Sequence, residues 1–396
     1  MFLNIKQIVD FLKIRIKSIN APLLSYLMNQ ASFYIKHGKF KSAYNYLWVL
    51  ATTQEDGAGI FEPIYRMNPD WAPYPGRIEL EVSNKCCLRC PKCEHTYWKE
   101  KPRNMSLKEV KHILKQFPTL KAVSLTGIGH GFENPEYLKI IKYIKDKEIF
   151  TQFYDPFLLI NEKLAREIVK LSVDKVIMSI DAATSKTYKK LQAGSDFDTV
   201  VRNVTRMIEF KNEMNSLFPD MCFQFIVQKP NVEEMPKFIE LVDEITKDDP
   251  SHFRTVQFIR LIPFKENRYL EPKISTQIYK KTVKKAKELG RFRLTFCNIP
   301  DTAKKNPISE CTSWRVPFIT VEGDYYPCCS LTEQNVRYLV RKQVRWNLFK
   351  DDFRDIWYSK EFRKFIWTIK NGGIPPICNT YIDCAIFETF GPLKSK

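Results

Sequence analysis

An α/β protein built on a parallel sheet is what this sequence predicts, and three observations predict it. Between residue 77 and about 296, strand-like and helix-like runs alternate six times. The strand runs are almost continuously apolar, as strands buried on both faces are. A cysteine-dense loop follows the first of them, at the end of the sheet where ligands of α/β proteins bind.

The elements follow in order. Residues 1 to about 76 read as a separate helical segment and linker. Ile5, Ile8, Val9, Leu12, Ile16 and Ile19 recur at three- and four-residue spacing, with Lys6, Lys13, Arg15 and Lys17 elsewhere on the wheel. That stripe packs on the rest of the protein or lies on a membrane surface. "YIKHGKFKSAYNYLWVLA" reads as half a helical hairpin, and "NPDWAPYPGR" as a linker. The strand runs are "RIELEVS", "KAVSLTG", "IFTQFYD", "KVIMSID", "MCFQFIV" and "TVQFIRLIPF". The helical runs between and after them begin with "SLKEVKHILKQF" and end with "IYKKTVKKAKEL". Parallel neighbours need crossovers, so six such units make a parallel sheet, either a barrel, a partial barrel or an open doubly wound sheet. From about 297 the pattern turns to short strands, prolines and cysteines, a smaller second domain.

The bulk numbers narrow the class. A chain of 396 residues with 44% hydrophobic residues buries a core without difficulty. Eleven cysteines without a secretory-type leader point to metal or redox chemistry rather than structural disulfides, and to a cytoplasmic protein. No apolar run approaches the roughly 20 residues that span a bilayer. Lysine and arginine outnumber the acids 63 to 45, giving +18, which suits an anionic partner such as acidic lipid or nucleic acid. Interleaved basic and aromatic residues of a single-strand platform are missing, so nucleic acid is the weaker partner.

In "EVSNKCCLRCPKCEHTYW" the frame Cys86-x3-Cys90-x2-Cys93 places three sulfurs in one short loop. It fits neither paired zinc-ribbon spacing nor a four-cysteine ferredoxin run. Three ligands to a four-iron cluster leave one iron open, as a catalytic metal requires. This loop, after the first strand of a six-unit β/α domain, resembles the radical S-adenosylmethionine (SAM) superfamily over roughly residues 77 to 384. The resemblance implies a partial (β/α)6 TIM-type barrel, a SAM-binding [4Fe-4S] cluster on Cys86, Cys90 and Cys93, reductive cleavage of SAM to a 5′-deoxyadenosyl radical, and a flavodoxin- or ferredoxin-type reductant. Cys87 is a spare thiol. "SLTGIGHGFENPEY" looks like the segment along the SAM methionyl group, with Gly127 and Gly129 allowing close backbone approach. His130 stands where many relatives carry a glutamate. Ser179 and Asp181, closing the fourth strand, fall where ribose and carboxylate are met, and Tyr154 and Asp155 are candidates for substrate contact.

The second cysteine group, "CTSWRVPFITVEGDYYPCC", has Cys311, eleven residues, Gly323, four residues and Cys328. It resembles the opening of an auxiliary-cluster module called SPASM, or twitch when shorter. A hairpin turning at the glycine would bring Cys328 beside Cys311. With Cys378 and Cys384 these imply one auxiliary [4Fe-4S] cluster, Cys329 being the substitute for Cys328, and Tyr381 occupies a place where a further cysteine often stands. The expected division is 1–76, 77–296 and 297–396. The expected function is hydrogen-atom abstraction from a peptide or small molecule, with the auxiliary cluster in electron transfer. Modification of a lipid at an anionic membrane surface is an alternative, motivated by the basic N-terminus and "RYLVRKQVR". A zinc-containing nucleic-acid-binding protein is the alternative of another class.

Overall fold

A computed structural model describes residues 21–52, 65, 67–97, 99–297, 307–332 and 346–379. The stripe of residues 1–19, "RYLVRKQVR", Tyr381 and Cys384 lie outside the described residues.

Seven parallel strands come first: β1 (Arg77–Leu80), β2 (Ala122–Leu125), β3 (Phe150–Asp155), β4 (Lys175–Ser179), β5 (Asp220–Val227), β6 (Arg254–Arg260) and β7 (Phe292–Cys297). Each pairs with the next in chain order. Six of these match the predicted runs. The seventh, "FRLTFC", was not foreseen, because arginine and threonine interrupt its apolar pattern on a half-exposed edge.

β8 (Phe318–Ile319) adds to the far side of β1 in parallel, and β9 (Tyr325–Tyr326) returns antiparallel to it. The sheet therefore runs β7-β6-β5-β4-β3-β2-β1-β8-β9, with its two edges unjoined among the described residues. The C-terminal module is thus built onto the barrel's own sheet.

Local chemistry sets the crossovers. After the N-terminal helices α1 (Ala21–Lys36) and α2 (Phe40–Thr52), α3 (Leu107–Lys115) starts in a capping box, in which Ser106 and Glu109 satisfy each other's amides. α4 (Tyr137–Asp146) follows β2, and α5 (Glu162–Lys170) is capped by Asn161. Next come α6 (Ser185–Leu191) and α7 (Phe197–Glu213), whose caps are Thr184 and Asp196. α8 (Met235–Ile245) precedes β6. α9 (Thr276–Leu289) ends at Gly290, whose φ of +68° suits a residue without a Cβ. Their apolar faces join one core with the outward residues of the strands, Ile78, Leu80, Val123, Phe153 and Val176 among them.

α1 and α2 correct the reading of one helical piece over 34–51. His37 and Gly38 break it, Gly38 having a φ of +69°. The pair packs on the N-terminal ends of β2 to β5. The Tyr34 ring stacks on Phe218 at 4.4 Å, its hydroxyl donates to Asp174, and Tyr46 meets Phe150. The Asn45 amide donates to the Glu148 carbonyl at 2.8 Å. The helical pair covers the end of the sheet opposite the cysteine loop.

Candidate active site

A cavity of about 560 Å³ lies at the C-terminal ends of the strands. Its walls include Leu125, Tyr154, Ser179, Gln224 and Ile259 from five successive strands, so the sheet curls around it. Cys86, Cys90 and Cys93 line it as well.

The cysteine loop is held by its own backbone. The Cys93 amide donates to the Cys90 carbonyl at 2.9 Å, the Thr96 hydroxyl to the same carbonyl at 2.7 Å, and the Leu88 amide to the Cys86 sulfur at 3.4 Å. Neighbouring loops grip it too: Arg89 N–H donates to the Ala193 carbonyl, and the Asn267 amide to the Lys92 carbonyl. Burial pushes the Cys86 thiol up to about 12 and Cys90 to about 11, and raises Cys93. Such thiols ionise when a metal supplies the compensating charge. Among the described residues no three His, Cys, Asp or Glu side chains converge on a single-ion position. The three thiols nevertheless interact electrostatically with one another.

Gly127 and Gly129 are where the second segment presses on the first. A Cβ on Gly127, whose φ is +151°, would stand 2.4 Å from the Glu81 side chain, and one on Gly129 only 2.2 Å from the Ser83 carbonyl oxygen. His130 N–H then donates to the Lys85 carbonyl at 2.6 Å. Both glycines line the cavity, and so does Ser179, whose carbonyl accepts from the Gln192 amide at 2.7 Å.

Asp181 is placed otherwise than the sequence suggests. It is fully buried and is not part of the cavity wall. One of its carboxylate oxygens meets the Lys92 ammonium of the cysteine loop, and the other accepts from the Ile226 amide at 2.8 Å. With Lys92 between two of the cysteines, Asp181 serves as an internal counter-ion that tethers the loop.

His130 and Asp155 form a buried ion pair, Nε2 to Oδ2 at 2.9 Å, on the cavity wall. The other imidazole nitrogen lies 3.8 Å from the Cys87 sulfur, which gives the spare thiol a partner. Tyr154 faces the cavity as anticipated.

Gln192, Gln224 and Arg260 also line the cavity, and sequence reasoning missed them. Gln192 Oε1 and Gln224 Oε1 are buried acceptors without a hydrogen-bond partner among the described residues. Two such acceptors and a guanidinium fit a ligand bearing hydroxyl or amine donors and a carboxylate. The available signal was parity: Gln224 pairs with Ser179 across β4 and β5 and shares its face.

The C-terminal module enters the same space. The predicted hairpin forms, with Gly323 at φ +82° in its turn. Cys328 and Cys378 both pack against the cluster of Phe318, Tyr326, Leu331 and Ile377, while Cys311 lies with Cys378 against the main core. Cys329 interacts with both Cys328 and Glu79 and lines the cavity.

Residues 80–242 match the family model described as the radical SAM superfamily, and residues 311–385 match that of an iron–sulfur cluster-binding domain. The chain carries a radical SAM domain.

This radical SAM enzyme uses SAM, a [4Fe-4S] cluster and auxiliary iron–sulfur chemistry. It is similar to the tungsten-containing aldehyde ferredoxin oxidoreductase cofactor-modifying protein of Pyrococcus furiosus, with 21% identity over 80% of this chain and 89% of that one. It is also similar to mycofactocin maturase MftC of Mycolicibacterium smegmatis, at 21% identity over 41% of each chain. Among solved structures, Streptococcus suis SuiB bound to S-adenosylmethionine matches at a TM-score of 0.59 and 16% identity, covering 85% of this chain and 79% of that one. A second SuiB structure, bound to precursor peptide SuiA, also scores 0.59.

Proposed function

We propose that this radical SAM enzyme modifies a peptide, by removing a hydrogen atom from an unactivated carbon held in the cavity between the cysteine loop and the C-terminal module. The observation that carries the reading is that shared wall: Cys86, Cys90 and Cys93 on one side and Cys329 of the module on the other. The likeness to SuiB, whose structure with precursor peptide SuiA is known, supports a peptide as the substrate.

Cys86, Cys90 and Cys93 would hold the SAM-binding cluster, and Cys311, Cys328 and Cys378, with Cys384, the auxiliary one. When bound, SAM with its cluster supplies the oxidising power for hydrogen abstraction, and the auxiliary cluster an acceptor for the electron left behind. The chain's own residues do the positioning. Gly127 and Gly129 bring the backbone after β2 against the cysteine loop. Ser179, Gln192 and Gln224 offer acceptors to the nucleoside, and Arg260 offers charge to the carboxylate. Asp181 steadies the loop through Lys92. On this reading the division is the core at 77–296 and the module at 297–396, with β7 running across the boundary to Cys297.

Anaerobic purification followed by iron, sulfide and zinc analysis tests it. Wild type should carry about eight irons and the Cys86→Ala/Cys90→Ala/Cys93→Ala variant about four, with 5′-deoxyadenosine released from SAM under reduction only by the former. Zinc without iron in both would sink the reading.

A further inference from the structure

The outward face of the N-terminal helical pair is apolar where a surface is ordinarily polar. Met28 and Ile35 on α1 and Phe40, Tyr44 and Leu47 on α2 are between 45% and 68% exposed. Phe40, Tyr44 and Leu47 recur at i, i+4 and i+7, one stripe of α2, whose other stripe (Ala43, Tyr46, Val49) is buried on the sheet. Single exposed apolar residues are ordinary, but five on one helical pair mark an interaction surface.

The charge around that face names its occupant. From residue 11 to residue 54 the sequence contains no aspartate or glutamate, while it contains Lys13, Arg15, Lys17, Lys36, Lys39 and Lys41. Lys36 and Lys41 are exposed beside the apolar stripe, flanking the turn at Gly38. Lys121, from the segment before β2, lies 5.8 Å from the Tyr44 ring. An apolar face flanked by Lys36, Lys41 and Lys121, on two helices that contain no aspartate or glutamate, is complementary to acyl chains under anionic headgroups. The sequence of residues 1–19 carries net charge of the same sign, which adds to attraction for an anionic surface.

We propose that this face, built from α1 and α2, docks the enzyme on an anionic lipid bilayer. The apolar side chains enter the headgroup boundary and the lysines meet the lipid phosphates. Among the described residues no helix is long and apolar enough to cross a membrane, so the contact is peripheral. Its position also decides what it is for. The helical pair covers the N-terminal ends of the strands, whereas the cysteine cavity lies at their C-terminal ends. The bilayer therefore anchors the enzyme and does not present a lipid to the site. This inference stands independently of the substrate proposed above.

The test is co-sedimentation of the full chain with phosphatidylcholine vesicles, with and without phosphatidylglycerol, at low and high salt. Wild type should bind only the anionic vesicles and be released by salt. The Phe40→Ser/Tyr44→Ser/Leu47→Ser variant, with an unchanged melting temperature and unchanged iron content, should partition at least roughly tenfold less. Equal partitioning of wild type and variant would overturn the proposal, since the face would then be covered by residues 1–20 or idle. Binding to polyglutamate but not to anionic vesicles would also overturn it, and assign the face to an acidic protein.

Discussion

At residue scale the cavity is shaped by close approaches that tolerate no added atom. Replacing Gly129 by alanine drives a methyl into the Ser83 carbonyl, 2.2 Å away, and backbone cannot swing aside as a side chain can. We expect Gly129→Ala to lose about 1–3 kcal/mol in denaturant unfolding and to load less iron. The His130–Asp155 pair yields a pH effect of definite sign. Burial alone would lower the imidazole, but the adjacent Asp155 carboxylate pushes it up to about 10. A folded-state value above the ordinary 6.5 means that the pair's contribution is fully present below pH 6.5 and is lost as pH rises toward 10. Unfolding midpoints measured across that range should fall with pH, and Asp155→Asn should flatten the slope. The thiol loop and the glycines were legible from sequence because spacing and a missing side chain are properties of the chain itself. Asp181 was not, because its partner Lys92 sits almost ninety positions away and only the fold brings the two charges together.

Elements were most legible where a period ran uninterrupted. The apolar-polar rhythm of α5 or α7 locates a helix whatever surrounds it, whereas β7 depends on pairing with β6 and shows no clear period alone. The break at Gly38 left one signal, a glycine inside a helical run, which is ambiguous without knowing that both arms have the same sheet to cover. Tertiary context also explains the buried charges between α7 and β6. Lys211 donates to both Asp249 oxygens at 2.9 and 3.0 Å, and Arg254 lies 3.7 Å from the same carboxylate, all three side chains being essentially inaccessible. Burial would raise the Asp249 carboxyl, but Lys211 and then Arg254 hold it below its ordinary value. Asp249→Asn strands two buried cations, and a loss of about 3–5 kcal/mol is expected in chemical denaturation.

For the whole molecule, several hydrogen bonds join the barrel to the C-terminal module, those of Gln116 to the Leu348 carbonyl and of Asn84 to Glu322 among them, and one buried carboxylate ties three segments together at once. Glu81, buried beyond the end of β1, accepts from the Ile128 amide at 3.0 Å and from the Val321 amide at 3.1 Å, linking the glycine segment, the first strand and the module. Glu81→Ala leaves both amides without that acceptor. The expected results are destabilisation of about 1–3 kcal/mol per amide and iron lost from both cluster sites, read by thermal melting and metal analysis. That β8 joins β1 also decides when this protein can finish folding. Strand partners Glu79 and Phe318 are among the most distant in the chain. During synthesis β1 therefore emerges early and keeps a bare hydrogen-bonding edge until its partner leaves the ribosome near the end. Nascent chains halted before residue 311 would display that edge to one another, so stalled or truncated products of this gene should be its most aggregation-prone form.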